Sequence, residues 1–157
     1  MPSDSVHIDQ ANHNIEFLRY FYPQFKFNDW AVTVSFYAAV HIIEFLIFKV
    51  KTITIKGKSI SIEHSNQFFN ALNKSGIPLT SNSTSTSDHI ARKIIVNENF
   101  GPIANIYLSL YNNSRVARYY CQSWPKARLE MILKPHLNNF FDWLNANHGT
   151  HFSLPVI

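Results

Sequence analysis

The sequence predicts an all-α chain, an up-and-down bundle of four or five main helices with a short extended hairpin or loop near 52–62. Three observations carry this. Apolar residues recur at helical spacing in six separate stretches. Strict period-two alternation is confined to T-I-T-I-K-G-K-S-I-S-I, from Thr52 to Ile62. The 157 residues are 46% hydrophobic and only 15% charged, enough to bury one core without disulfides or metal staples. A single domain over 1–157 is expected, with a flexible Ser/Thr-rich loop at 79–87 and a C-terminal tail at 150–157.

Helix one is expected from about Ser5 to Tyr22, with Ile8, Ile15, Leu18 and Tyr22 on its inner face and Pro23 ending it. Phe25 and Phe27 are expected to tuck under helix two, for which Asn28 offers a cap. Helix two, about Asp29 to Lys49, is apolar nearly all round, which places it in the middle of a bundle. Its polar interruptions are His41 and Glu44, close to Tyr37. After the alternating stretch centred on Gly57, Ser61 can cap a third helix with His64, Phe68, Phe69 and Leu72 inside, ending at Gly76 and Pro78.

A fourth helix is expected from about Asp88 to Glu98 on Ile90, Ile94 and Ile95. Gly101-Pro102 breaks it and starts a fifth. On that fifth helix Ile103, Leu110, Ala117 and Cys121 form an apolar seam. Tyr107, Tyr111, Ser114 and Arg118 form a polar stripe beside it. Ser123 can cap a last helix on Leu129, Leu133, Leu137, Phe140 and Leu144, which Pro135 should kink and Asn147 to Gly149 should end. The apolar tail from Phe152 to Ile157 is free to dock on this chain or on a partner.

Composition narrows the function classes. A net charge of +4, with Lys and Arg scattered, permits a polyanionic partner without requiring one. The single cysteine excludes an internal disulfide and a multi-cysteine zinc site. The polar start and the absence of a leader pattern suggest a cytoplasmic protein, and the apolar run from Trp30 to Phe48 reads as a core helix rather than a membrane span. No glycine-rich phosphate loop, H-E-x-x-H or G-x-S-x-G motif occurs. His7 with His13, and His148 with His151, have the wrong spacing or setting for zinc and are expected at the surface. No cofactor and no metal site are expected.

Candidate chemistry therefore rests on side chains from different helices. His41, His64 and Arg118 are the candidate catalytic residues. Tyr37, Glu44, Tyr107, Tyr111, Ser114 and Tyr119 are the candidate ligand-binding ones. A half-buried guanidinium needs an anion or a hydrogen-bond partner. In a compact antiparallel bundle these side chains can line one cleft. The alternative is structural, with His41 bonded to Ser114 or Tyr111 and Arg118 paired with Glu44.

The run from Trp30 to His41, W-A-V-T-V-S-F-Y-A-A-V-H, the later H-S-N-Q from His64, and Y-L-S-L-Y-N-N-S-R-V-A-R-Y from Tyr107 together resemble the HEPN superfamily of small helical domains. The likeness spans about Asp29 to Tyr120. It implies a bundle of four or five helices, a homodimer without a membrane role, and action on RNA or nucleotides, in which Arg118 and Ser114 would hold a phosphate, His41 or His64 act as general base on a ribose 2′-hydroxyl, and Tyr119 stack or donate. Possible settings are a metal-independent endoribonuclease of a defence or toxin–antitoxin system, or a non-catalytic module that senses a ligand or partner. The family's R-x4-6-H motif is missing: Arg115 and Arg118 have no following His in range, and Arg128 precedes His136 by seven intervening residues. Gln67 stands where similar chains show the Arg of H-x-x-R.

Overall fold

The computed structural model describes residues 4–21, 24, 26–78, 86–120 and 124–152. It is an all-α bundle with one short antiparallel hairpin, the class the apolar periodicity predicts. Helix α1 (Asp4–Phe21) lies along α2 (Asn28–Val50), and α5 (Gly101–Tyr119) packs against α2 as well. Of the residues of α2, Ala31, Val32, Phe36, Ala39, Ile43 and Leu46 are fully enclosed, and so is the polar Glu44. Helix α2 has the length and hydropathy of a membrane span. Yet 78% of its most apolar window is buried inside the protein, as a central bundle helix requires.

The start of α2 differs from expectation. Asn28 is its first helical residue, not its cap, and its side chain donates to the Trp124 carbonyl at 2.5 Å, tying α2 to the segment before Lys126. Phe27 does not tuck beneath α2; it is 43% exposed, with Lys26 over its ring. Phe25, Tyr22 and Cys121 lie outside the described residues, and so does Ser123.

Lys51 closes α2 in the left-handed conformation, its N–H bonding the Ile47 carbonyl at 2.9 Å. The hairpin follows, β1 (Thr52–Ile55) on β2 (Lys58–Ser61), with Ile53 facing Ile60. Its two-residue turn has positive φ at Lys56 and Gly57, the mirror-image turn that matches strand twist. A lone hairpin is marginal. Here Ile53, Ile55, Ile60 and Ile62 are buried, and Asn99 exchanges two hydrogen bonds with the Thr54 backbone, at 2.7 and 3.1 Å.

A 3₁₀ turn (Ser65–Gln67) leads into α3 (Phe68–Lys74), which buries Phe68 and Leu72. Its cap is His64 rather than Ser61, through the Asn66 N–H to His64 Nδ1 at 3.2 Å. Helix α4 (Asp88–Asn99) buries Ala91, Arg92, Ile95 and Val96, with Ile90 and Ile94 at the margin. Its inner face is thus rotated from the one expected, and Arg92 points inward. Pro102 opens α5 in its first turn, and Ile103, Leu110 and Ala117 form the buried seam. Helix α6 (Lys126–Ile132) and α7 (Asn138–His148) are joined by a π-helical turn (Leu133–Leu137) around Pro135, whose missing N–H cannot continue the α ladder. After Gly149, Phe152 folds back to the Phe141 ring at 5.6 Å, and Asn145 holds its backbone with two hydrogen bonds. The tail beyond it, and positions 79–85 of the Ser/Thr loop, lie outside the described residues.

Candidate functional site

The polar centre of the bundle is Glu44, 2% exposed, which accepts three hydrogen bonds and has His64 beside it. Arg92 Nη1 donates to Oε1 at 2.5 Å, and the Ser65 hydroxyl donates to the same oxygen. The Ser65 amide donates to Oε2 at 3.0 Å, and His64 Nε2 stands 3.4 Å from it. Arg92 also donates to Ser65 Oγ at 2.9 Å. Burial works to raise the Glu44 pKa, but the Ser65 hydroxyl and amide, Arg92 and His64 outweigh it and leave the carboxyl below its ordinary value. Three elements meet here: α2 supplies the carboxylate, α4 the guanidinium and the 3₁₀ turn the serine.

Beside this network three imidazoles are stacked at tilted angles. The His7 ring lies 5.6 Å from that of His41 and 5.5 Å from that of His64, and the two Nδ1 atoms of His7 and His41 are 3.3 Å apart. His7 is 5% exposed. It sits one turn before Ala11 on the inner face of α1, so it is a core residue and not a surface one. Burial lowers the pKa of both His7 and His41; Glu44 opposes this, and the neighbouring cations and imidazoles add to it.

The polar stripe of α5 divides between the core and a surface cleft. Tyr107 is fully buried against Phe36, and desolvation drives its pKa upward. Ser114 is fully buried too, its hydroxyl donating to the Tyr111 carbonyl within the same helix at 2.9 Å. Arg118 donates to the Tyr37 hydroxyl at 3.0 Å and to the Ser114 carbonyl at 3.3 Å, and its guanidinium also lies over the Tyr37 and Tyr119 rings. The expected pair with Glu44 is not formed: Arg92 is closer, because α4 presents it directly to the carboxylate. His41 likewise bonds His7 rather than Ser114 or Tyr111.

Between α4 and α5 lies a cleft of about 530 Å³ lined by His89, Tyr111, Arg115, Tyr119 and Tyr120, with Ser87 and Ile90 at the start of α4. Lys93 Nζ and Arg115 both stand over the Tyr111 ring, 4.8 and 5.8 Å from its centre. His89 joins the cleft to the interior, since Arg92 Nη2 lies 3.2 Å from its Nδ1. A guanidinium can only donate. His89 Nδ1 is therefore the acceptor, and the neutral ring carries its proton on Nε2. Burial, then Arg92 and Arg118, lower its pKa, with Asp88 opposing.

This gives stability a pH dependence. His89 is neutral in the fold, while in the unfolded chain it takes up a proton near its ordinary value of 6.5. Its contribution is complete above that value and is lost as pH falls from there toward the depressed folded value. His148, lowered by burial and by Lys49, acts in the same direction. The melting temperature is expected to fall between pH 7 and pH 5.5 and to fall less in His89→Gln; circular dichroism melts across that range check it, and a flat profile contradicts it.

Of the nine residues singled out from the sequence, Glu44 and His64 are in direct contact, with His41 linked to them through His7. Tyr37, Ser114, Arg118, Tyr111 and Tyr119 gather on the α5 side, toward the cleft, and Tyr107 packs in the core between. His7, Ser65, Arg92 and His89 complete the arrangement and were not foreseen. His7 had a signal, its helical register with Ala11, Ile15 and Leu18. No family model, curated protein or solved structure matches this chain.

Proposed function

We propose that the chain is a HEPN-like, RNA- or nucleotide-directed protein whose α4–α5 cleft holds a single-stranded anionic ligand, and that it works as a binding module. The observation that carries this reading is a cleft lined by three tyrosines, His89 and Arg115, with Lys93 and Arg115 over the Tyr111 ring and Arg118 over the Tyr119 ring. Tyrosine rings give bases a stacking platform of about 1–3 kcal/mol each, and guanidinium and ammonium groups neutralise phosphates. Tyr119 and Tyr120 are exposed, so their rings are open to a base. The His89 Nε2 proton offers a fixed donor to a phosphate or base acceptor.

Binding is favoured over cleavage because the two acceptors beside Arg92 that could serve as a general base are already engaged. His89 Nδ1 accepts from Arg92, and Glu44 is held by Ser65 and Arg92. A resemblance to HEPN domains without R-x4-6-H agrees with this, and a homodimer is the assembly it implies. The test is fluorescence anisotropy with a labelled single-stranded RNA, followed by a gel of the same RNA after incubation in chelator. Saturable binding that weakens at least tenfold in Arg115→Ala/Tyr119→Ala supports the reading. Cleavage in chelator would replace the binding module with a ribonuclease, and unaltered binding by the double variant would remove the cleft.

A further inference from the structure

The interior histidines form a constellation that the cleft does not use. One ligand atom each from His7, Glu44 and His64 lies within 4.8 Å of the other two. They come from α1, α2 and the residue before the 3₁₀ turn, so no sequence spacing announces them. We propose that His7, Glu44 and His64 bind a divalent first-row transition metal such as Zn²⁺, with His41 orienting His7.

The donor set is two imidazoles and one carboxylate, a combination that suits zinc and its neighbours and leaves a coordination position open. The spacing of one pair already fits. In a tetrahedral site with bonds of about 2.0–2.2 Å, adjacent ligand atoms lie about 3.4 Å apart. His64 Nε2 and Glu44 Oε2 are 3.4 Å apart. His7 supplies a second, independent sign. It is 5% exposed, and its Nε2 atom is buried without a hydrogen-bond partner. If His7 Nδ1–H donates to His41 Nδ1, 3.3 Å away, Nε2 is left as a bare lone pair. A metal-binding histidine usually donates its other ring N–H in this way, which fixes tautomer and orientation.

Two groups oppose the ion, and each has a physical answer. His64 Nδ1 accepts the Asn66 N–H, so without metal the His64 proton sits on Nε2 facing Glu44. On binding, the ion takes that proton's place and the proton passes to Nδ1. The Asn66 N–H, which is exposed, then turns to water. Arg92 repels a cation but holds Oε1, whereas the ion takes Oε2, so the shared carboxylate lies between the two charges. The remaining adjustment is a side-chain rotation that draws His7 inward.

The test uses the full chain, stripped with chelator and titrated with Co²⁺, whose tetrahedral complexes absorb visible light far more strongly than the aqua ion. One Co²⁺ per chain is expected, bleached by Zn²⁺. His7→Gln and His64→Gln should each weaken binding at least tenfold, and His41→Gln about 10–100-fold, as loss of an orienting partner does. A His148→Gln/His151→Gln variant should bind as the parent does. In the unaltered chain, ring-nitrogen NMR gives the same answer should a variant fail to fold: Zn²⁺ should shift His7 and His64 Nε2 and leave His148 and His151 in place. Absence of a saturable cobalt spectrum, or zinc shifts confined to other histidines, overturns the site.

Discussion

Glu44→Ala is expected to destabilise the chain by about 3–5 kcal/mol, the usual consequence of removing one partner from a buried ion pair. The loss comes mainly from what stays behind. Arg92 is buried at 6% exposure, and without Glu44 its Nη1 loses its carboxylate and keeps the Ser65 hydroxyl, itself deprived of the carboxylate. The Ser65 amide loses its acceptor as well, which loosens the turn that enters α3. Urea denaturation checks this directly. A second arm separates unpaired charge from lost packing: Glu44→Leu/Arg92→Met, which removes both charges and fills the space, should recover most of the stability. A single variant within 1 kcal/mol of the parent would show that the Glu44 network does not hold the bundle.

Phe36→Ala is expected to cost a similar amount, about 3–5 kcal/mol, through the transfer term and the cavity it leaves. Phe36 is fully buried on α2, and its ring meets those of Tyr37, His89, Tyr107 and Tyr111 at 5.6–5.8 Å. Two of these, His89 and Tyr111, are cleft walls. Core packing and the candidate binding surface are therefore one continuous aromatic layer. The variant should lower the urea midpoint without changing the slope, and it should weaken RNA binding even where the protein remains folded. Loss of stability with binding intact would mean that the cleft does not depend on this layer.

Much of the fold could be read in the sequence because its signals are local. Gly101-Pro102 separates α4 from α5, Pro135 marks the distorted turn, Gly149 ends α7, and the Thr52–Ile62 alternation becomes a hairpin buried on its isoleucine side. The polar pairings were less legible because they depend on how helices are rotated against one another. Arg92 is one residue beyond Ala91 on a helix expected to face inward on Ile90, Ile94 and Ile95, of which only Ile95 is buried, and that small rotation decides which cation reaches Glu44. His7 belongs to the same class. It was expected at the surface although it shares a register with Ala11, Ile15 and Leu18, and only the packing of α1 on α2 brings it to His41 and His64. Glu44, by contrast, stood out as a polar interruption of an apolar helix and His64 as the opening of the third, though their contact with each other was not expected.

The measurement that bears most directly on the proposed function is the salt dependence of single-stranded RNA binding by the parent and by Arg115→Ala. Each phosphate neutralised on a single strand contributes about −0.7 to the slope of log affinity against log salt. Arg115 is exposed on α5 at the rim of the cleft, so its removal leaves the core intact. The parent is expected to bind with a clearly negative slope, and Arg115→Ala with a slope shallower by about one phosphate. A parent that does not bind, or a variant with the same affinity and slope, would contradict a cleft built for a nucleic-acid strand.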